Sequence, residues 1–312
     1  MRIRATVAAV SGALALSVFV VPAAQADDSA SSADIAKIAK SAAAAAAADL
    51  ASGKSGFSAS VDADDAPYAL DATFSNVKVN KGKSIAVGTT KVVTVPVTFT
   101  LTHGADVDVT ADDFVAAVEL YRGTSFEESD WGWDTYQAVC TNTTSTKAAC
   151  TTALELDPAM LINEDAGSWK VAGFAVAFNG QDMSDPEDIS KVGVAVTDPA
   201  ASSVKIQRYS KLTVNASPEP VKKGKTITVT GALTRANWDT GKYAGYTNQS
   251  VKLQFKKKGT TTYTNVKTIT SGSAGALKTT VTATTDGTFR YVFAGTSTTP
   301  AVTSSGDFVD VQ

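Results

Sequence analysis

The chain predicts an all-β fold: two tandem antiparallel β-sandwiches, preceded by a signal peptide and an Ala-rich helical segment. Three observations predict it. Apolar residues recur every second position in short runs of Val, Ile, Phe and Thr, the signature of half-buried strands. The runs are separated by Gly, Asn, Asp and Pro, with no alternation of strands and long helical segments, which excludes a parallel α/β fold. The rhythm then breaks and restarts near Tyr209, where the charge of the chain changes sign. Residues 57–205 carry 22 Asp and Glu against 9 Lys and Arg, a net of −13; residues 206–312 carry 5 against 14, a net of +9. At 312 residues and 44% apolar content there is material for two cores.

Residues 1–26 read as a secretory signal peptide. Arg2 and Arg4 precede an apolar stretch over 7–21, and Ala24-Gln25-Ala26 forms a small-residue cleavage site. No other run approaches the ~18 apolar residues of a membrane-spanning helix, so no stable membrane insertion is expected. Residues 27–66 are a different material: Asp34-Ile35-Ala36-Lys37-Ile38-Ala39-Lys40, then seven alanines over 42–48. Alanine is the best helix former, and Gly53 can end the helix. Ile35, Ile38 and Leu50 are its only large apolar side chains, so the helix either lies on the sandwich or, as the favoured reading, is a spacer with little of it buried.

Residues 67–205 form the acidic domain. KVVTVPVTFTLTH (91–103) places Val93, Val95, Val97, Phe99 and Leu101 on one face and mostly Thr on the other. Pro96 lacks a backbone N–H and predicts an edge position or a bulge. VAAVELYRG, GSWKVAGFAVAFNG and KVGVAVTD repeat the theme, with Trp169 expected in the core, and residues 157–160 suggest a helical turn. Cys140 and Cys150 are the only two cysteines. In an exported chain an even pair reads as a disulfide, here pinning a hairpin around a Thr/Asn-rich loop.

Residues 206–312 form the basic domain, with seven strand candidates in about 100 residues; number and spacing suit an immunoglobulin-like sandwich. The linker is expected at 203–210. The segments KLTVNASPEPVKKGKTITVTG, YTNQSVKLQFKKKGTTTYTNVKTI and DGTFRYVFAGTSTTPAVTSSGDFVDV resemble the Ig-like repeats of secreted actinobacterial proteins. The resemblance covers residues 211–312 and implies an Ig-like fold; the acidic domain is similar more loosely. It implies little about activity, since chains of this layout are mostly uncharacterised and some are labelled calcium-binding.

Candidate chemistry is sparse. His103 is the only histidine, at a strand end before Gly104, and is expected at the surface. There is no nucleophile elbow, phosphate loop or dinucleotide fingerprint. A hydrolase using a carboxylate pair is left open, because sequence spacing says nothing of convergence in space. No cofactor is expected beyond calcium. Four acidic groups are candidates for that ion: Asp62, Asp64 and Asp65; Asp106, Asp108, Asp112 and Asp113; Glu127, Glu128, Asp130 and Asp134; and Asp182, Asp185, Glu187 and Asp188, the preferred set. A loop opening at Asp106 fails the helix-loop-helix pattern, with Ala111 where glycine belongs. In the basic domain Arg235, Trp238, Lys242, Tyr243 and Tyr246 fall in one loop, RANWDTGKYAGYTNQ, and are the candidate binding residues for a glycan or anionic polymer if the aromatics form an outward platform; turned inward, they pack over the sandwich end. The reading is a secreted, non-enzymatic binding or structural protein, associated with the cell wall or an extracellular polymer. Self-association of the oppositely charged domains is a further expectation. Nucleic acid is not expected.

Overall fold

A computed structural model describes residues 32–51, 66–129, 132–197 and 203–312. The signal peptide, the cluster at 62–65, Asp130 and Trp131 lie outside the described residues. The chain is built almost entirely from strands, arranged as two β-sandwiches.

The N-terminal sandwich contains β1 (Tyr68–Ala69), β2 (Ala72–Val79), β3 (Ile85–Val87), β4 (Val93–His103), β5 (Phe114–Tyr121), β6 (Gly132–Asp134), β7 (Val139–Thr144), β8 (Lys147–Leu156), β9 (Gly167–Ala177), β10 (Gly193–Thr197) and β11 (Ser203–Arg208). One layer runs β2-β4-β8-β7. In the other, β9 is central, with β5 along one side and β10 and β11 sharing the opposite side. Strand β6 extends the layer from β5, and β1 and β3 pair in parallel with β10 and β11, two departures from an antiparallel pattern. Phe74, Phe99, Leu101, Leu120 and Trp169 fill the space between layers, Phe74 and Phe99 with ring centroids 4.8 Å apart. Pro96 sits inside β4, paired with Ala153 of β8; the ladder to β2 ends at Val97 and carries a bulge between Ser75 and Lys78. Residues 157–160 form a turn, not a helix.

The disulfide joins Cys140 and Cys150, which face each other across β7 and β8. It closes a small ring, so replacing both cysteines with serine should cost at most about 3 kcal/mol in denaturant unfolding.

The Ala-rich segment forms α1 (Ser32–Ala51), and it corrects the spacer expectation. Ile35, Ala36, Ala39 and Ala42 are buried against the outer face of the β5/β9/β10 layer, with Val115, Ala117, Tyr121, Phe174, Val176 and Val194. The sheet and the adjoining Phe126 and Phe178 supply the bulk, while alanine lets the helix approach closely. Large side chains on the helix were not needed for docking. All eight residues of β5 are consequently buried. Among the described residues no helix is long and apolar enough to cross a membrane.

The C-terminal sandwich contains β12 (Ser210–Leu212), β13 (Asn215–Ser217), β14 (Thr226–Asn237), β15 (Lys242–Gly245), β16 (Ser250–Lys257), β17 (Thr264–Thr270), β18 (Ala276–Thr282), β19 (Gly287–Phe293), β20 (Val302–Thr303) and β21 (Asp307–Val309). Strand β14 pairs with β13 and β18, and further along with β12 and β15; the facing layer runs β17-β16-β19-β20, with β21 also on β19. Ile227, Val229, Leu253, Tyr291 and Phe293 form the core. Tyr291 donates its hydroxyl to the Val229 carbonyl at 3.0 Å, and burial pushes that hydroxyl's pKa up to about 12. β14 runs without interruption through Gly231, where an added Cβ would lie 2.2 Å from the Thr213 carbonyl oxygen.

The expected linker at 203–210 is strand on both sides. β11 belongs to the first sandwich and β12 to the second, leaving Tyr209 as the single residue between them. Its N–H donates to Val87 O (2.9 Å) and its carbonyl accepts from Ala236 N (2.8 Å). Trp238 and Ala236 join the core of the first sandwich.

Candidate binding face

Alternation along three adjacent strands builds one surface. In β16 Val251 and Leu253 point inward, which turns Lys252, Gln254 and Lys256 out. In β19 Phe289, Tyr291 and Phe293 point inward, which turns Thr288, Arg290 and Val292 out. Register places Gln254 opposite Arg290, Lys256 opposite Thr288 and Lys252 opposite Val292. A bulge in the β16/β17 ladder brings Asn265 opposite Gln254. Across the three strands Arg290 Nε donates to Gln254 Oε1 (2.8 Å), and Gln254 Nε2 donates to Asn265 Oδ1 (2.9 Å).

Aromatic rings orient the cations. The Arg290 guanidinium lies 3.7 Å from the centroid of Tyr263, and Lys256 Nζ lies 5.2 Å from the same ring. At the margin Phe308, opposite Thr288, is 43% exposed and has Lys258 Nζ 5.7 Å from its centroid. Lys258 also pairs with Asp286 at 3.0 Å; the contact raises the lysine's pKa and, with the Val311 N–H, lowers that of Asp286. Among the described residues Lys252, Lys256 and Arg290 have no ion-pair partner. Consecutive outward residues on a strand are about 7 Å apart. Lys252, Arg290 at the level of Gln254, and Lys256 therefore form a row of positive charge with a step of about 7 Å.

The stretch 235–246 is a hairpin of β14 and β15, not a loop, and it is not an outward aromatic platform. Trp238 is 4% exposed, its indole N–H donating to Gly88 O of the first sandwich at 2.8 Å. Tyr243 is half-buried against that same core, with Lys211 Nζ 3.5 Å from its ring centroid. Arg235 stacks on Tyr246 at 3.8 Å and donates to Thr299 Oγ1 at 3.1 Å; burial lowers its pKa, with the nearby Tyr246 acting in the opposite direction. Tyr246 itself lies edge-on to Phe293. Lys242 is exposed on β15. The structure thus pairs Arg235 with Tyr246 and gives Trp238 and Tyr243 to the joint between sandwiches.

The expected calcium set is not assembled. Asp182 Oδ1 accepts from Ser184 N and Oγ (2.8 and 2.6 Å), and Asp188 accepts from Ser190 and pairs with Lys191 at 3.0 Å. These contacts, led in each case by the serine hydroxyl, lower both carboxyl pKa values. Among the described residues no group of three or more His, Cys, Asp or Glu could hold a metal ion, the set of Asp182, Asp185, Glu187 and Asp188 included. His103 is not at the surface either: it is 5% exposed, with Nδ1 2.8 Å from Gly104 O and Nε2 3.2 Å from Asn142 Oδ1. Two carboxyls do meet, Glu119 and Asp134, yet they lie beneath α1, with Glu119 1% exposed.

The face on β16 and β19 was missed in sequence, although the signal was present. In VKLQFKK and GTFRYVF the apolar residues alternate with Lys252, Gln254, Lys256 and Arg290; what was missing was the strand pairing that sets them side by side.

No family model matches the chain, and no curated protein matches it. Solved structures similar to it include the full ectodomain (Ig1–Ig3) of mouse nectin-like molecule 4, at 12% identity and TM-score 0.23, covering 78% of this chain and 65% of that one. The fibronectin(III)-like modules of Clostridium thermocellum CbhA match at 11% identity and TM-score 0.24, covering 75% and 92%. The D0-D1 domain of intimin matches at 15% identity and TM-score 0.24, covering 76% and 98%.

Proposed function

We propose that this is a secreted, non-enzymatic binding protein whose C-terminal sandwich holds an anionic polymer of the cell envelope on the outer face of β16, β17 and β19. The observation that carries the reading is the row Lys252–Arg290–Lys256. Its cations are free of carboxylates among the described residues, and two of them are ordered, Arg290 by the Tyr263 ring and the Gln254–Asn265 amide chain and Lys256 by the same ring. A flat, regularly spaced array suits an extended chain bearing one anion per repeat better than it suits a compact ligand, which needs a concave pocket. The acidic N-terminal sandwich would be repelled by the same polymer, which orients the molecule with its basic end toward it. Export rests on the charged start, apolar stretch and cleavage site of residues 1–26.

The test is retention of the full chain on immobilised polyphosphate and polyuronate across a salt gradient. Exposed charge contacts are each worth up to about 1 kcal/mol, so the triple variant Lys252→Ala, Lys256→Ala, Arg290→Ala should bind about 10- to 100-fold more weakly. The control removes equal charge from an exposed turn, Lys222→Ala, Lys223→Ala, Lys225→Ala. Equal losses in both variants would reduce the effect to net charge and defeat the assignment of a face.

A further inference from the structure

Beside the row of cations on β16 and β19 stands an apolar ring that anion binding alone does not use. Phe308 lies on the same outer side: Thr288 turns outward from β19, and register sets Phe308 of β21 opposite it. The ring is 43% exposed, and among the described residues of this sandwich it is the one exposed aromatic. Val309, the next residue, is 1% exposed in the core, which anchors the strand and holds the ring outward. Register carries the row on through Thr288 to Lys256, and Arg290 stands at the next outward position of β19. Neighbouring strands are about 5 Å apart and successive outward residues about 7 Å, so ring, hydroxyl and both cations fit beneath a short length of polymer. Tyr263 is placed differently. Arg290 lies 3.7 Å from its centroid and occupies one ring face, and Gly306 makes room for its hydroxyl, which would lie 3.2 Å from a Cβ there. The carboxylate at this corner, Asp286, is held by Lys258 Nζ at 3.0 Å and by the Val311 N–H at 2.9 Å.

A pyranose presents a face of C–H groups, a rim of hydroxyls and, in an acidic sugar, an anion. The C–H face suits the negative face of an aromatic ring. The hydroxyls suit Thr288 and the Gln254–Asn265 amides, and the anion suits the guanidinium fork of Arg290. We propose, resting on the reading above that this face holds a polyanion, that the polymer is an acidic polysaccharide, with one sugar ring stacked on Phe308 and its anions paired with Arg290 and Lys256. A polyphosphate has nothing to lay on the ring. A single-stranded nucleic acid stacks successive bases on successive rings, whereas here Phe308 alone is open and Tyr263 is covered by Arg290. Phe308 thus selects a sugar backbone, and the cations select its charge.

Titration of the full chain with a galacturonate oligomer, a polyphosphate of equal charge and an oligodeoxythymidylate tests this. The galacturonate should bind most tightly. Covering the exposed part of Phe308 is worth about a tenfold change in affinity, so Phe308→Ala should weaken galacturonate binding about tenfold and leave polyphosphate within about twofold. Phe308→Trp keeps a ring and should restore the galacturonate affinity, which separates loss of stacking from any disturbance of β21; failure to restore it overturns the stacking role. Equal losses for galacturonate and polyphosphate in Phe308→Ala overturn the assignment of a sugar while the polyanion face stands. Tightest binding of the oligodeoxythymidylate overturns it in favour of nucleic acid. Binding of none of the three removes the polyanion reading and the polysaccharide together.

Discussion

Replacing Trp238 with alanine is expected to destabilise the protein by about 3–5 kcal/mol, the range for truncating a large buried aromatic side chain, and to uncouple the two sandwiches. Trp238 comes from the C-terminal sandwich yet is buried in the core of the other, 4% exposed and hydrogen-bonded to Gly88 O. Around it Asn163 accepts from Trp238 N at 3.1 Å and donates through its own N–H to Asp239 and through its side chain to Asn237. Arg208, 8% exposed, donates Nε to Ala236 O at 2.6 Å; burial and the neighbouring Arg235 bring its pKa down to about 10. Removing the indole leaves a cavity at the centre of this network and an unpaired Gly88 carbonyl. Calorimetry should then resolve two transitions, and small-angle scattering should show a larger radius of gyration. Trp238→Phe retains most of the packing and should lose only about 1 kcal/mol, the net worth of one hydrogen bond. A cooperative single transition in Trp238→Ala at an unchanged melting temperature would show that the joint does not depend on this residue.

The joint also bears on the charge segregation. None of the four ion pairs among the described residues crosses it. The sandwiches meet through an indole, the Arg208 guanidinium, the backbone contacts at Tyr209 and a set of amide hydrogen bonds, with the charge of Asp239 acting on Arg208 across the joint.

What was legible in sequence was whatever period two could carry. KVVTVPVTFTLTH became β4, with Val95, Val97, Phe99 and Leu101 inward as predicted. The disulfide followed from having two cysteines around a turn-like loop. Trp238 was read as a ligand platform because its stretch is rich in Gly, Asn and Asp, the composition of a loop. Nothing local shows that β14 continues to Asn237 and delivers the ring to another domain. The docking of α1 had a signal that a helix-centred reading passes over. FVAAVELY in β5 is apolar at every position but Glu119, where a half-buried strand would alternate, and a strand buried on both faces requires a second cover. Within that run Glu119 is the single charge, and a lone carboxylate there requires a partner; that the partner is Lys40, 79 residues earlier, depends on tertiary structure alone.

The Glu119–Asp134 pair gives a stability profile of unusual sign. Unfolding free energy should fall as pH rises from about 4 to about 7. Burial first, and then the charge of Glu119, push Asp134 from its ordinary value of 3.8 up to about 7, while the cation of α1 works against them. Burial likewise raises Glu119. Below pH 3.8 Asp134 is protonated in both states and its contribution is fully present. Between 3.8 and 7 the unfolded chain releases the proton that the folded chain keeps, so the contribution is lost progressively. At 1.36 kcal/mol per pH unit the fall amounts to at most about 4 kcal/mol. Carboxyls with lowered pKa values, Asp108, Asp182, Asp188 and Asp286, act in the opposite direction at lower pH, where protonation removes their favourable contacts. Chemical denaturation at a series of pH values should therefore give a maximum on the acidic side of neutrality. In Asp134→Asn that part of the slope should vanish, and matching profiles for the variant and the wild type would mean that the Asp134 proton is not retained on folding.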